Sequence, residues 1–208
     1  MSRRTLFLVR HGAVEQQERF WGWTDVALSE QGQRQSEHLA RQAAAWNPER
    51  IAGSDLLRVR QTAEPLLAAS GLQLETFPDL RECQFGEWEG LTWQEIRQRD
   101  PERAEHYLGN WLTATPPGGE SVEVMSRRVS RAWESIWEQP WQRLALIGHA
   151  GTNRLLLLQF LGMPLRHLFR IGQDYACWSQ IEFEEGAPTL KHLNVPSEAD
   201  FHAQAQRR

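Results

Sequence analysis

Short apolar runs and longer amphipathic stretches alternate along this chain. Residues 5–9 are apolar on both alternating faces, as a strand buried in a parallel sheet should be, and they run directly into Arg10-His11-Gly12. A polar, aromatic loop with Trp21-Gly22-Trp23 follows, and Ser29 reads as the N-cap of a helix reaching about Trp46. Residues 51–53 form a second short strand. Ser54 or Asp55 is expected to cap the next helix, which Pro65 should split or bend. Residues 73–77 alternate like a strand, 90–111 read as helical, and Pro116-Pro117-Gly118-Gly119 breaks the chain. In 120–138 Val122, Met125, Val129, Ala132 and Ile136 recur at helical spacing. A buried strand at 143–147 enters Gly148-His149-Ala150-Gly151, and a strongly apolar helix covers 153–161. Residues 177–183 and 189–193, joined at Glu185-Gly186, read as a closing hairpin.

This alternation predicts a three-layer α/β/α sandwich with a mostly parallel central sheet. Its 208 residues suit a single domain over 1–208, with a helical cap at about 83–120 and a loose tail at 196–208. In such sheets the ligand crevice lies beyond the carboxyl ends of the strands. Two strands end there in histidines, His11 and His149.

Composition narrows the chemistry. A net charge of −4 gives no reason to expect nucleic acid as a partner. No apolar run approaches membrane-spanning length and no signal peptide is visible, so a cytoplasmic protein without membrane partners is expected, and a homodimer is compatible with the sequence. Lys191 is the only lysine, and it sits between Leu190 and His192, which rules out a phosphate loop ending in Gly-Lys-Ser/Thr. Two cysteines cannot build a disulfide framework, and neither Cys83 nor Cys177 has an arginine six residues on, so a cysteine-nucleophile phosphate loop is absent. Both are expected to be small buried hydrophobes. No His-Glu-x-x-His or Asp-x-Asp pattern offers a metal site, and no cofactor is implied.

What remains is a constellation. Arg10 at a buried strand end suits an anion, and Gly12 allows close approach to the backbone. His149 precedes a helix whose first N–H groups and dipole favour negative charge. Arg58 falls in the first turn of the helix after the second strand, again at the crevice, whereas Arg60 reads as a solvated charge. Two guanidinium forks and two imidazoles suit phosphoryl oxygens.

Arg10-His11-Gly12, the segment 54–63, Leu80-Arg81-Glu82 with Phe85-Gly86-Glu87-Trp88-Glu89-Gly90, and Gly148-His149-Ala150-Gly151 together resemble the histidine phosphatase superfamily in its phosphoglycerate mutase-like branch. The match spans about 5–183 in the expected order. The resemblance implies that His11 is the nucleophile and carries a phosphohistidine, and that Arg10, Arg58 and His149 hold the phosphoryl oxygens. It assigns general acid and base work to Glu82, the alternative being an ion pair between Glu82 and Arg81. Gln17 stands where relatives often have Asn, and Ala150 where Gly is usual; with Trp23 and Thr24 they are the candidate substrate-binding residues. Ala13 replaces a glutamate common in the mutases.

The same resemblance separates phosphatase from mutase. Mutases of this family carry a lysine eleven residues after the acid, and here that position is Trp93. A metal-independent phosphatase acting on a small-molecule phosphate ester is therefore expected, with α-ribazole 5'-phosphate as one candidate. A bisphosphoglycerate-dependent mutase and an inactive phosphate-binding scaffold are the other readings. The ten tryptophans either line a pocket for the ester's alcohol part or, like Trp133 and Trp137 at helical spacing, pack the core.

Overall fold

A computed structural model describes residues 3–197. Six strands form one sheet in the order β3-β2-β4-β1-β5-β6: β1 (Arg4–Arg10), β2 (Arg50–Gly53), β3 (Leu74–Thr76), β4 (Arg143–Gly148), β5 (Trp178–Glu184) and β6 (Ala187–Val195). The first four run parallel; β5 and β6 add an antiparallel edge, so the sheet is mixed as well as mostly parallel.

Strand alternation builds the layers. Leu6, Leu8, Leu144 and Leu146 face one way, onto α5 (Val122–Glu138) and α6 (Ala150–Phe160). Phe7, Val9, Ala145 and Ile147 face the other, onto Leu39, Ala40 and Ala43 of α1 (Glu30–Ala43) and Val59, Ala63 and Leu66 of α2 (Leu57–Ser70). The three-layer sandwich follows directly from that period of two. Trp133, Trp137 and Trp141 sit with Phe160 and Phe183 in the core, as their spacing implied. Both cysteines are buried, and desolvation pushes their thiol pKa values up.

Several boundaries depart from the sequence reading. The 90–111 stretch is two helices, α3 (Trp93–Arg99) and α4 (Pro101–Gly109). Pro101 drives Asp100 out of the helical region, and Asp100 both ends α3 and caps α4 by accepting from the Arg103 N–H. These helices enclose a small separate cluster of Trp88, Ile96 and Ala104, backed by Phe20, Phe85 and Trp93. Pro65 neither ends nor divides α2, which runs through it as one element. Neither Ser54 nor Asp55 caps α2. Leu56 occupies the cap position, and the Leu57 N–H donates instead to Asp25 of the distant 21–25 loop. Helix α6 starts at Ala150, three residues earlier than periodicity suggested, so His149 is its N-cap residue. Among the described residues no helix is long and apolar enough to cross a membrane. Beyond Ser197 the expected loose tail lies outside the described residues.

Candidate active site

Strands β1 and β4 are neighbours, and the His11 N–H donates to the Gly148 carbonyl at 3.0 Å. Their terminal residues are thereby locked together. The imidazoles of His11 and His149 meet edge to face with ring centroids 5.2 Å apart. Both histidines are buried. Nδ1 of His11 lies 2.8 Å from the Gly12 carbonyl, which can only accept; Nδ1 therefore carries the proton and Nε2 presents its lone pair. Burial, and then the charges of Arg58 and Arg10, hold the His11 pKa well below its usual 6.5. Burial and Arg58 do the same to His149. Two neutral imidazoles thus stand between two cations.

Each cation is fixed by carbonyls, not by a carboxylate partner. Arg10 donates through Nη1 to the Gln173 carbonyl at 2.5 Å, and the Tyr175 ring covers its guanidinium at 3.6 Å. Arg58 is wholly buried; Nη1 donates to the Thr24 carbonyl and Nη2 to those of Trp21 and Gly22. Arg10 Nε, Arg58 Nε and His149 Nδ1 are buried without a hydrogen-bond partner, while His149 Nε2 lies 2.7 Å from the Ser54 hydroxyl. A buried guanidinium N–H left unpaired is costly, and an oxyanion is the guest that completes it.

Glu82 lines the same cavity as Arg10 and His11. Its Oε1 accepts from the Cys83 N–H and its Oε2 from the Gly151 N–H at the start of α6, both at 2.8 Å. A Cβ at Gly151 would lie 2.2 Å from Glu82 Oε1, so only glycine lets the carboxylate reach the helix end. Arg81 does not pair with Glu82; both its forks go to Asp55. The glycine after His11 has a packing reason as well. A Cβ at Gly12 would lie 2.6 Å from the Gly32 carbonyl, so the close neighbour is the first turn of α1.

A cavity of about 740 Å³ opens over His11 and Glu82. Arg10, Gln17, Ala150, Gly151, Arg154 and Tyr175 contribute to its polar wall, and Phe20, Trp21, Trp93, Tyr107, Trp111 and Phe169 give the cap side an aromatic lining. Gln17 and Ala150 therefore face the cavity. Trp23 and Thr24 do not line it, and neither do Arg58 and His149, which are wholly buried. Trp23 donates from its indole to the Glu82 carbonyl, and Thr24 offers its own carbonyl to Arg58, so both lie behind the site as supports. Arg60 is exposed. Among the described residues no three His, Cys, Asp or Glu side chains gather as a metal site.

Arg128 was not legible as a site residue. It forms a buried ion pair with Glu120 and donates to the carbonyls of Asp79, Arg81 and Glu82. Its place on the buried stripe of α5, among Met125, Val129 and Ala132, was the available signal, because a charge there must find partners.

Comparison with known proteins agrees with this geometry. The sequence profile of the histidine phosphatase superfamily (branch 1) matches residues 6–196. Adenosylcobalamin/alpha-ribazole phosphatase of Salmonella typhimurium is 31% identical over 192 residues, covering 91% of this chain and 95% of its own. Phosphoserine phosphatase 1 of Hydrogenobacter thermophilus is 27% identical, with 97% and 98% covered. Among solved structures, the alpha-ribazole phosphatase of Shigella flexneri superposes with a TM-score of 0.87 at 28% identity, covering 92% of this chain and 96% of that one. A mycobacterial glucosyl-3-phosphoglycerate phosphatase gives 0.80 at 28%, with 93% and 99% covered. This chain belongs to the histidine phosphatase superfamily, branch 1, and is a phosphatase with the phosphoglycerate mutase-like fold.

Proposed function

We propose that His11 is the nucleophile of a metal-independent phosphomonoesterase. The observation that carries this reading is the set of buried, unpartnered nitrogens on Arg10, Arg58 and His149 beside a neutral His11. Nε2 of His11 attacks phosphorus, the P–O bond to the alcohol breaks, and Glu82, entering this step as the carboxylic acid, delivers its proton to the departing oxygen and is left as the carboxylate. Water then attacks the phosphohistidine, Glu82 takes its proton, and phosphate leaves with His11 restored. Arg10, Arg58 and His149 hold the non-bridging oxygens through both steps, the work a metal ion does elsewhere. A dianion beside His149 favours protonation of that ring, so its low proton affinity in the free protein reverses on binding.

The alcohol part of the ester faces Phe20, Trp93, Tyr107, Trp111 and Phe169. Such walls suit a planar, largely apolar group, and an α-ribazole phosphate, after the alpha-ribazole phosphatase of Shigella flexneri, is the candidate of that shape. Trp93 takes the place of the mutase lysine and lies tilted against Phe20 with ring centroids 6.2 Å apart, which favours hydrolysis over phosphoryl return to a sugar acid. Turnover of p-nitrophenyl phosphate in EDTA tests the class. Activity retained with chelator and lost with His11→Ala supports it; phosphate binding without turnover would indicate a scaffold instead. Glu82→Gln should slow alkyl esters more than p-nitrophenyl phosphate, whose leaving group scarcely needs a proton.

A further inference from the structure

Glu89 touches none of the reacting groups, yet its carboxylate accepts four backbone N–H groups. Oε1 takes those of Trp23 at 2.8 Å and Phe85 at 3.1 Å; Oε2 takes those of Gly22 at 3.0 Å and Thr24 at 3.1 Å. Two of these N–H groups belong to the same peptide units whose carbonyls hold Arg58. The unit joining Trp21 to Gly22 points its carbonyl at Arg58 Nη2 (3.2 Å) and its N–H at Glu89. The unit joining Gly22 to Trp23 does the same at 2.7 Å.

From this we infer that Glu89 is a positioning residue for Arg58, the two forming an ion pair bridged by two peptide groups. The inference rests on the reading that Arg58 holds phosphate. The carboxylate orients both amide dipoles toward the guanidinium, and three carbonyls then occupy Nη1 and Nη2, leaving Nε as the donor without a partner. A carboxylate in direct contact with the guanidinium would take the Nε–H that the phosphoryl group needs. Charge relayed through peptides stabilises the buried cation without blocking it. Glu89 is in fact among the carboxylates that offset the burial of Arg58, after Glu82. Asp25 secures the far end of the same loop through the first N–H of α2, the helix that carries Arg58. Trp23 in turn ties the loop to the Glu82 carbonyl.

Glu89→Gln tests this, because its amide turns one acceptor into a donor facing two backbone donors. The measurements are the dissociation constant of inorganic phosphate by calorimetry, kcat/KM for p-nitrophenyl phosphate, and the melting temperature, each also in Arg58→Ala and the double variant. We expect Glu89→Gln to stay folded, to weaken phosphate roughly tenfold and to lower kcat/KM by a similar factor. In the Arg58→Ala background it should cost little more, since the group it positions is gone. Glu89→Asp, with the charge one methylene farther off, should fall between. Undiminished phosphate affinity in folded Glu89→Gln overturns the inference, as does a full additive loss in the double variant. Loss of the fold in both Glu89 variants overturns it too, since Glu89 is then a fold determinant. Absence of turnover and phosphate binding in the unaltered protein would instead remove the phosphatase reading beneath it.

Discussion

Nε2 of His11 presents its lone pair because the Gly12 carbonyl holds the ring proton on Nδ1 and because burial beside two guanidinium groups holds the ring pKa down. Neutrality can be checked by NMR. The ring C–H resonances of His11 and His149 should remain in the neutral position well below pH 6.5, and titration of either at its ordinary value would contradict the electrostatics described. Glu82 offers a second test at this scale. Its placement depends on there being no side chain at Gly151, so Gly151→Ala should lower kcat/KM on the order of a hundredfold while the melting temperature moves little. Near-normal turnover in that variant would mean that the Glu82 carboxylate need not sit against α6. At this scale the sequence was informative where charge stood in an apolar frame, as with Arg10 and Arg58. It was silent on Glu89 and Asp25, because most of their partners are backbone groups 32 to 67 residues away, and backbone groups leave no mark in composition.

Elements rather than single residues set the distance between His11 and Glu82. The Glu82 segment follows a short 3-10 turn, and three groups from three elements restrain it: Arg128 of α5, the Thr152 hydroxyl of α6, and the Trp23 indole. Arg128→Met leaves Glu120 buried without its cation. It should cost about 3 kcal/mol by denaturant titration and reduce turnover in the fraction that stays folded. A change below about 1 kcal/mol would show that the Glu120–Arg128 pair contributes little. Strand and helix cores were readable because their periods are strong. Boundaries set by single contacts were not: α2 takes its cap from Asp25, and the α3–α4 break depends on Pro101 acting through Asp100.

On the proposed reading, residues at the carboxyl ends of β1 and β4 and on α2 hold the phosphoryl group, and the aromatic wall of Phe20, Trp93, Tyr107, Trp111 and Phe169 takes the alcohol. The two should therefore separate in kinetics. Trp111→Ala, on the cap side of the cavity and 4.8 Å from Phe169, should raise KM for esters of large planar alcohols several-fold. It should leave inhibition by inorganic phosphate unchanged; a parallel loss of phosphate affinity would contradict the division. Acid stability is also a property of the whole. Because the folded pKa values of His11 and His149 lie below 6.5, the unfolded chain binds protons first as pH falls. Stability should be full above about pH 6.5 and decline below it, before Asp55, held under 3.8 by Arg81, begins to protonate. Added phosphate should lessen that decline, because a bound dianion favours the protonated His149. A melting temperature flat from pH 7 to 5 would argue against two buried neutral imidazoles. The layered fold was legible from alternating strands, whereas the cap's aromatic wall was not, since residues as far apart as Phe20 and Phe169 meet only once the chain has folded.

The covalent step is the centre of this account, and rapid acid-free quenching during turnover of a 32P-labelled phosphate ester addresses it directly. Label retained on the protein, stable to base, labile to acid and mapped to His11 is the predicted result. Turnover at full rate with no protein-bound label, or label on a residue other than His11, would contradict it.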